Sequence, residues 1–375
     1  MKKNSLHLLV FAALLGGGVA SVSSCSKDDN DTNTPTGPDK SQLTALIDSV
    51  NSGYNTAIEG RQVGNYRSGA KATLKTSIDL ATAAKNDNTL TQTAVTTTIA
   101  ALRRAVNVFK SQILVAVPAA NLMAWWKFEG NANDASTNGN NGTLMSGPTG
   151  PGTAPGDGGV LPVATADRFG RPNQAYAFDN GAYIEVPYST KLNPQAVTVS
   201  AWVKTSTTNA DNYIVSMNRW QGYKFQLQGA DKPFLTVATG TQATPTLTDK
   251  DAESGIVAVN TWTHVATSFT YADGVGTMKF YINGMPVKTW TGISGNLVAT
   301  PEQIPLAIGQ QLPKAWYNRT PASGAPLPAS VTDPSTYYTY YSPAYFKGSM
   351  DDIRIYNRSL TDQEMISIFT MEEAL

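Results

Sequence analysis

Apolar positions divide the chain into two regimes. From residue 41 to about residue 117 they recur at spacings of three and four, the period that gathers side chains on one helix face. Leu43, Leu46, Ile47, Val50, Tyr54 and Ile58 form a first stripe. Ala70, Leu74, Ile78 and Ala81 form a second, and Val95, Ile99, Leu102, Val106 and Phe109 a third. Gly60, Gly64 and the NYRSG stretch break the pattern after the first stripe, and KNDN (residues 85–88) supplies a turn before the third. Three amphipathic helices with short connections predict an antiparallel bundle over residues 41–117. Past Pro118 the period changes. AYIEVPY, TVSAWVK, YKFQLQG, HVATSFT, MKFYING and DIRIYN alternate or are rich in β-formers, and turn signals separate them. Asp273-Gly274 and Asn283-Gly284 are hairpin turns of the two-residue kind. Many short strands at this spacing predict an all-β sandwich or jelly roll over residues 118–375. The tail SLTDQEMISIF reads as a short helix, with Thr361 and Glu364 at capping-box spacing.

The first 24 residues have a different character. Lys2 and Lys3 precede an apolar run at residues 8–15, and small residues lead to Cys25. This is the layout of a secretory signal peptide, and the apolar run is short for a membrane span. Val22-Ser23-Ser24-Cys25 resembles a relaxed lipobox, with Val22 in place of Leu and Ser24 in place of Gly or Ala. Lipidation at Cys25 would tether the mature chain to a membrane without spanning it. Residues 25–40 are acidic, polar and Pro/Gly-containing, the composition of a disordered linker. Acidic residues directly after a lipidated cysteine resemble the surface-export signal of diderm bacteria, so the expected location is the outer membrane, exposed at the cell surface.

Composition narrows the chemistry. Lys+Arg and Asp+Glu are 28 each. This balance gives no sign of a nucleic-acid binder. Without Lys2 and Lys3 the mature chain carries a net charge of −2. One cysteine excludes an intrachain disulfide framework and a cysteine-based zinc cluster. Two histidines, one of them His7 in the signal, leave little room for histidine chemistry. Residues 40–113 hold nine basic and four acidic side chains. We read this excess as a solvated spacer face, with an anionic polysaccharide or a membrane surface as the alternative.

Two resemblances sharpen the outline. GYNTAIEGRQVGNYRSGAKATLKTSIDLA and TLTQTAVTTTIAALRRAVNVF resemble the FIVAR-like helical modules of bacterial surface proteins. LMAWWKFEGNANDASTNGNNGTL, AYAFDNGAYIEVPYSTKLNPQAVTVSAWVKT, NTWTHVATSFT, MKFYINGMPV and FKGSMDDIRIYNRSLTDQEM follow the order seen in concanavalin A-like/laminin G-like (LamG type 3) domains. The expected fold is therefore a three-helix bundle followed by a concanavalin A-like jelly-roll sandwich. The second resemblance implies that the first and last strands lie together, often around calcium. Calcium takes about six to eight oxygens, and Glu129, Asn131, Asp134, Asp351 and Asp352 are the candidate ligands. Successive strand residues point to opposite faces. One of Asp351 and Asp352 is then expected to bind metal while the other caps loop amides or pairs with Arg354 or Arg358; capping and pairing of both is the alternative to a metal.

Signs of catalysis are few. No run of the E-x-D-x-x-E kind places paired carboxylates on one strand face. Asp249, Asp251 and Glu253 alternate, but TDKDAESG reads as an exposed loop, and His264 reads as a structural histidine. Aromatic clusters are more informative: Trp220 and Tyr223 in NRWQGYKF, Trp316 and Tyr317 in KAWYNRT, and Tyr338 in STYYTYYSPAY. Rings beside polar groups suit sugars, which present apolar C–H faces and hydroxyl rims. The expected function is non-catalytic recognition of a carbohydrate. Trp220, Tyr223, Trp316, Tyr317 and Tyr338 would stack on the sugar, and Arg219 and Asn318 would bond its hydroxyls. A structural or adhesive module binding a protein partner is the runner-up, and a polysaccharide-active enzyme stands third.

Overall fold

The structure is a computed structural model and describes residues 37–149, 159–209, 211–300, 302–317, 319, 338 and 345–373. Cys25 and Asn318 lie outside these residues. The chain divides into two compact units, Met1–Ile113 and Leu114–Leu375.

The first unit contains α1 (Ser41–Thr56), α2 (Ala70–Asn86) and α3 (Gln92–Lys110). Leu43, Ile47 and Val50 of α1 meet Leu74, Ile78 and Ala81 of α2 and Val95, Leu102 and Phe109 of α3 in one core. The three stripes therefore face one another, as their spacing predicts. Tyr66, between α1 and α2, stacks on Phe109 with centroids 4.0 Å apart. Ile58 departs from the expectation. The first helix ends at Thr56, Ala57 turns to extended geometry, and Ile58 is left 66% exposed.

The second unit is a two-layer antiparallel sandwich. The back sheet contains β1 (Leu122–Trp126), β3 (Val163–Thr165), β4 (Ala175–Phe178), β6 (Val197–Thr205), β11 (Thr263–Ala272), β12 (Val275–Ile282), β13 (Met285–Ile293) and β15 (Gly348–Tyr356). Its order is β13-β12-β11-β6-β15-β4-β3, with β1 also on β15. The front sheet contains β2 (Thr143–Ser146), β5 (Ala182–Val186), β7 (Asp211–Met217), β8 (Tyr223–Gln228), β9 (Lys232–Gly240), β10 (Pro245–Asp251) and β14 (Leu306–Ile308). Its order is β10-β9-β8-β7-β14-β5-β2. The inward phase of each alternation fills one core, with Val199, Ala201, Val265 and Ile353 from the back and Ile184, Val215, Phe225 and Val237 from the front.

Both predicted hairpins form. Asp273 and Gly274, then Asn283 and Gly284, all have positive φ, the backbone of a two-residue turn matched to strand twist. Gly284 is also needed for space, because a Cβ there would lie 2.7 Å from Cβ of Phe369. The segment TDKDAESG differs from the loop expectation. Its Thr248–Asp251 part belongs to β10, paired with β9 at the sheet edge.

The last helix, α4 (Asp362–Glu372), closes the outer face of the back sheet. Thr361 and Glu364 make the predicted capping box. Phe369 stacks on Trp202 at 5.7 Å. Met365 and Ile368 join Ala266, Tyr281, Tyr356 and Leu360 in a second small core. His264 is fully buried here, edge-on to Trp202 at 5.5 Å. Burial, with Arg354 and Arg168 nearby, pushes its pKa down to about 3, so the ring is neutral at physiological pH.

Candidate functional site

Two groups of residues stand out: the carboxylates at the start of the last strand and the aromatic side chains above the front sheet.

Strand β15 runs beside β6 throughout, but on its other side it changes partner. Gly348–Met350 pair with β4, whereas Ile353–Tyr356 pair with β1. The change occurs at a bulge. Asp351 faces Trp202 of β6, and Arg354 already faces Ser200, so β15 fits an extra residue into this interval. Asp352 takes a left-handed φ of 47°. The bulge cancels the alternation that separates adjacent side chains. Both carboxylates therefore reach one guanidinium: Arg168 Nη1 donates to Asp351 at 2.6 Å and Nη2 to Asp352 at 2.9 Å. The expectation that one residue of the pair points away is corrected here.

The loop between β3 and β4 presents Arg168. Asp167 accepts the backbone N–H groups of Phe169 and Arg171 and the Arg171 side chain, which fixes the turn. Arg168 Nε donates to the Glu372 carbonyl at the end of α4. Arg354 pairs with the Glu372 carboxylate at 2.6 Å and approaches Asp352 at 3.4 Å. The Trp125 indole donates to Asp352, and the Trp202 indole donates to Glu372. One buried network thus joins the first strand, the last strand and the last helix. Arg358, the other partner weighed for the carboxylates, instead holds Glu364.

Two guanidiniums face three carboxyl groups in this network. Burial, and then the Asp352 charge, push Asp351 up to about 8. Burial raises Asp352 as well, but Arg354, Arg168 and the Trp125 N–H outweigh it and bring the net shift down. Burial raises Glu372 against the opposing charge of Arg354. Asp351 and Glu372 are the two groups pushed toward the protonated form.

The first and last strands do lie side by side, as the resemblance implies, but the donor set does not suit the expected calcium cage. The Asp134 carboxylate accepts three backbone N–H groups, from Trp125, Ser136 and Asn140. Asn131 Oδ1 accepts the Asn133 N–H, and Asp351 and Asp352 are held by arginine. Glu129, Asn131 and Asp134 line a shallow depression of about 230 Å³ with Lys127, Phe128, Asn133 and Ala135. Neither Asp351 nor Asp352 is among its lining residues. Among the described residues, no three histidine, cysteine or acidic side chains are grouped as a metal would need.

On the front sheet the polar phase of the strands faces outward. Ser216, Lys224, Thr236 and Asp249 line up across β7, β8, β9 and β10. Lys224 Nζ bonds Gln226 Oε1 at 3.1 Å and sits 5.4 Å from the Tyr213 ring. Burial pushes its pKa down to about 8, against the pull of Asp249 and Asp211. Ser216, Lys224, Gln226 and Thr236 are all buried, so the centre of this face is closed. The sequence reading passed over Lys224 and Gln226; their signal is the polar phase of YKFQLQG.

The rim of the face holds the aromatic cluster. Tyr213, Ile304, Leu312, Tyr317 and Tyr338 are buried together, and Trp220 and Trp316 pack on them partly open. Four of the seven expected sugar-binding residues are therefore corrected. Tyr223 is 0% exposed, lies in the inter-sheet core and donates its hydroxyl to Leu192 O. Tyr317 is buried and donates to Gln310. Tyr338 is buried and bonds Glu302. Arg219 is buried and donates to Gln311. The Tyr317 and Tyr338 rings support the two tryptophans from within the buried cluster. The two tryptophans keep open surface, and each carries an arginine: Arg219 lies 3.9 Å from the Trp220 centroid, and Arg319 lies 4.0 Å from that of Trp316.

The fold and its rim can now be compared with known proteins. Residues 178–325 match the family model of the concanavalin A-like lectin/glucanases superfamily. Comparison of the chain with curated proteins finds no match. Among solved structures, the chain is similar to domain 4 of AbnA, a GH43 extracellular arabinanase from Geobacillus stearothermophilus, in complex with arabinotriose. That match has 19% identity and a TM-score of 0.44 and covers 66% of this chain and 98% of that one. The binding domain of Paraclostridial mosquitocidal protein 1 matches at 14% identity and a TM-score of 0.43, over 67% of this chain and 52% of that one. The botulinum neurotoxin serotype D binding domain matches at 13% identity and a TM-score of 0.41, over 67% and 51%. The chain spans about half the length of these two toxin chains. No helix among the described residues is long and apolar enough to cross a membrane.

Proposed function

We propose that this protein is an exported, non-catalytic glycan receptor, anchored to the outer membrane by lipid on Cys25 and displayed at the cell surface. The observation that carries the reading is the rim of the concanavalin A-like domain. Trp220 and Trp316 stay partly open on a single buried aromatic cluster, so their orientation is fixed before any ligand arrives. Indole surfaces of this kind take the apolar faces of sugar rings, and nearby guanidinium and amide groups take the hydroxyls. Pre-positioned rings also reduce the ordering cost of binding.

The non-catalytic part of this reading is supported by how the carboxylates are used. Hydrolysis of a glycosidic bond needs two carboxyl groups flanking the bond, one of them free to carry a proton to the leaving oxygen. Asp351 and Asp352 are buried on Arg168, and Asp249 accepts the Thr236 hydroxyl. The lipid anchor rests on the signal, Cys25 and the acidic residues that follow it.

Affinity electrophoresis of the mature protein against arabinan and a panel of plant, host and microbial polysaccharides tests the reading. Retention by at least one polymer without release of reducing ends is expected. Mobility unchanged across the whole panel overturns glycan recognition. Reducing ends whose release stops on a single carboxylate-to-amide substitution would make the protein an enzyme instead.

A further inference from the structure

The bundle contains a groove that the concanavalin A-like domain does not explain. It has a volume of about 480 Å³ and lies between the N-terminal end of α1 and one face of α3. That volume falls within the ~300–1,000 Å³ range of small-ligand sites. Ile99 and Ala100 give it an apolar floor, and Gln42, Arg103 and Arg104 give it polar walls.

Its polar groups are not equally available. Gln92 is tied at both ends of its amide to the Asp39 backbone, and Thr96 donates to the Gln92 carbonyl. The Asp39 carboxylate accepts the Ser41 N–H. Arg103 and Arg104, by contrast, make no hydrogen bond or ion pair among the described residues, and both are exposed. Three other cations of the bundle are engaged: Lys40 with two carbonyls, Lys75 with Asp79, and Lys71 with a carbonyl and the Tyr54 ring. Two adjacent residues of one helix diverge by about 100°, but both long side chains reach the same groove. They therefore straddle it and leave their planar donor edges free.

The geometry points to a second, acidic-sugar site in this groove. A uronate or sulfated sugar unit places its anionic group between the two guanidiniums, which match carboxylate and sulfate oxygens in paired fashion. Its C–H face lies over Ile99 and Ala100, and the Gln42 amide meets its hydroxyls. A concave groove with an apolar floor favours a ligand that inserts over a flat anionic bilayer. The site is separate from the Trp220–Trp316 rim and stands whether or not that rim binds glycan.

Titration calorimetry on the whole mature protein tests it, with trigalacturonate and a sulfated heparin disaccharide as probes. Wild type is compared with the double variant R103Q/R104Q and with K85Q, a charge on α2 outside the groove. The expected result is binding of at least one probe, weakened at least tenfold in the double variant and unchanged in K85Q. Circular dichroism should show all three proteins folded, because Arg103 and Arg104 are exposed and Lys85 lies outside the buried core of the bundle. Equal loss in K85Q would mean diffuse charge and overturns the site. Full binding in the double variant, or no heat with either probe, overturns it too. Sedimentation with anionic phosphatidylglycerol vesicles, lost in R103Q/R104Q with no sugar binding, would replace the site with a membrane surface.

Discussion

Arg168 ties the last strand to the end of the last helix through Asp351, Asp352 and the Glu372 carbonyl. It closes a buried network of opposite charges, and removing one partner leaves charge uncompensated in the interior. Arg168→Met should cost about 3–5 kcal/mol of stability, read from a denaturant melt. A loss below about 1 kcal/mol would show that the network is a passenger. The pH response follows from Asp351. Its folded pKa is raised to about 8, above the unfolded value of about 3.9. Its contribution to stability is whole below about pH 4 and is lost as pH climbs through about 8. Asp351→Asn removes that titration, so its melting temperature should fall less than that of wild type between about pH 5 and pH 8.5. Parallel curves for the two proteins would contradict the placement of the proton. Asp351 and Asp352 were conspicuous in the sequence as charges before a core strand. Their partner was not, because Arg168 lies 183 positions from Asp351 and its local signal, DRFGR, reads as an ordinary polar turn. The aromatic residues were misjudged for a related reason. A tyrosine in a polar-looking loop carries the same local signal whether its ring faces water or props up a neighbour, and burial of Tyr223, Tyr317 and Tyr338 is decided by distant strands.

At the scale of elements, periodicity did most of the work. The three helical stripes, both Asx-Gly hairpins and the capping box of α4 follow from spacing alone, because each depends on residues within a few positions of one another. The β15 bulge does not. It arises where one strand passes from β4 to β1, and nothing in SMDDIRIY signals the extra residue. The edge strand β10 was missed because DKDAES is as polar as a loop, and pairing with β9 overrides its weak strand preference. The end helix offers a direct test. Thr361→Ala removes the hydroxyl that accepts the Glu364 N–H and should cost about 0.5–2 kcal/mol. Melting indistinguishable from wild type would mean that the contacts of Phe369 and Met365, rather than the cap, set the helix end.

The whole molecule joins two constructions with different uses of charge. The bundle places arginines on an open groove, while the β-sandwich buries an ion-pair network that fastens its first strand, last strand and last helix. The donor set around Asp134, Asp351 and Asp352 does not suit a calcium cage, so melting of the mature protein should be the same in calcium and in chelator; a rise of several degrees with calcium would restore a metal to the sandwich. Fold class was legible in the sequence because alternation and turn chemistry repeat over the whole domain. The proposed ligand surface was legible only as a region, since exposure depends on which rings the core claims.

The most direct test of glycan recognition at the rim is titration calorimetry with a retained polysaccharide, comparing wild type, Trp316→Phe and the Trp220→Ala/Trp316→Ala pair, with each variant's melting recorded. The account predicts binding kept in large part by Trp316→Phe, which preserves a ring, and lost at least tenfold in the double variant while it remains folded. A folded double variant that binds as tightly as wild type would contradict it.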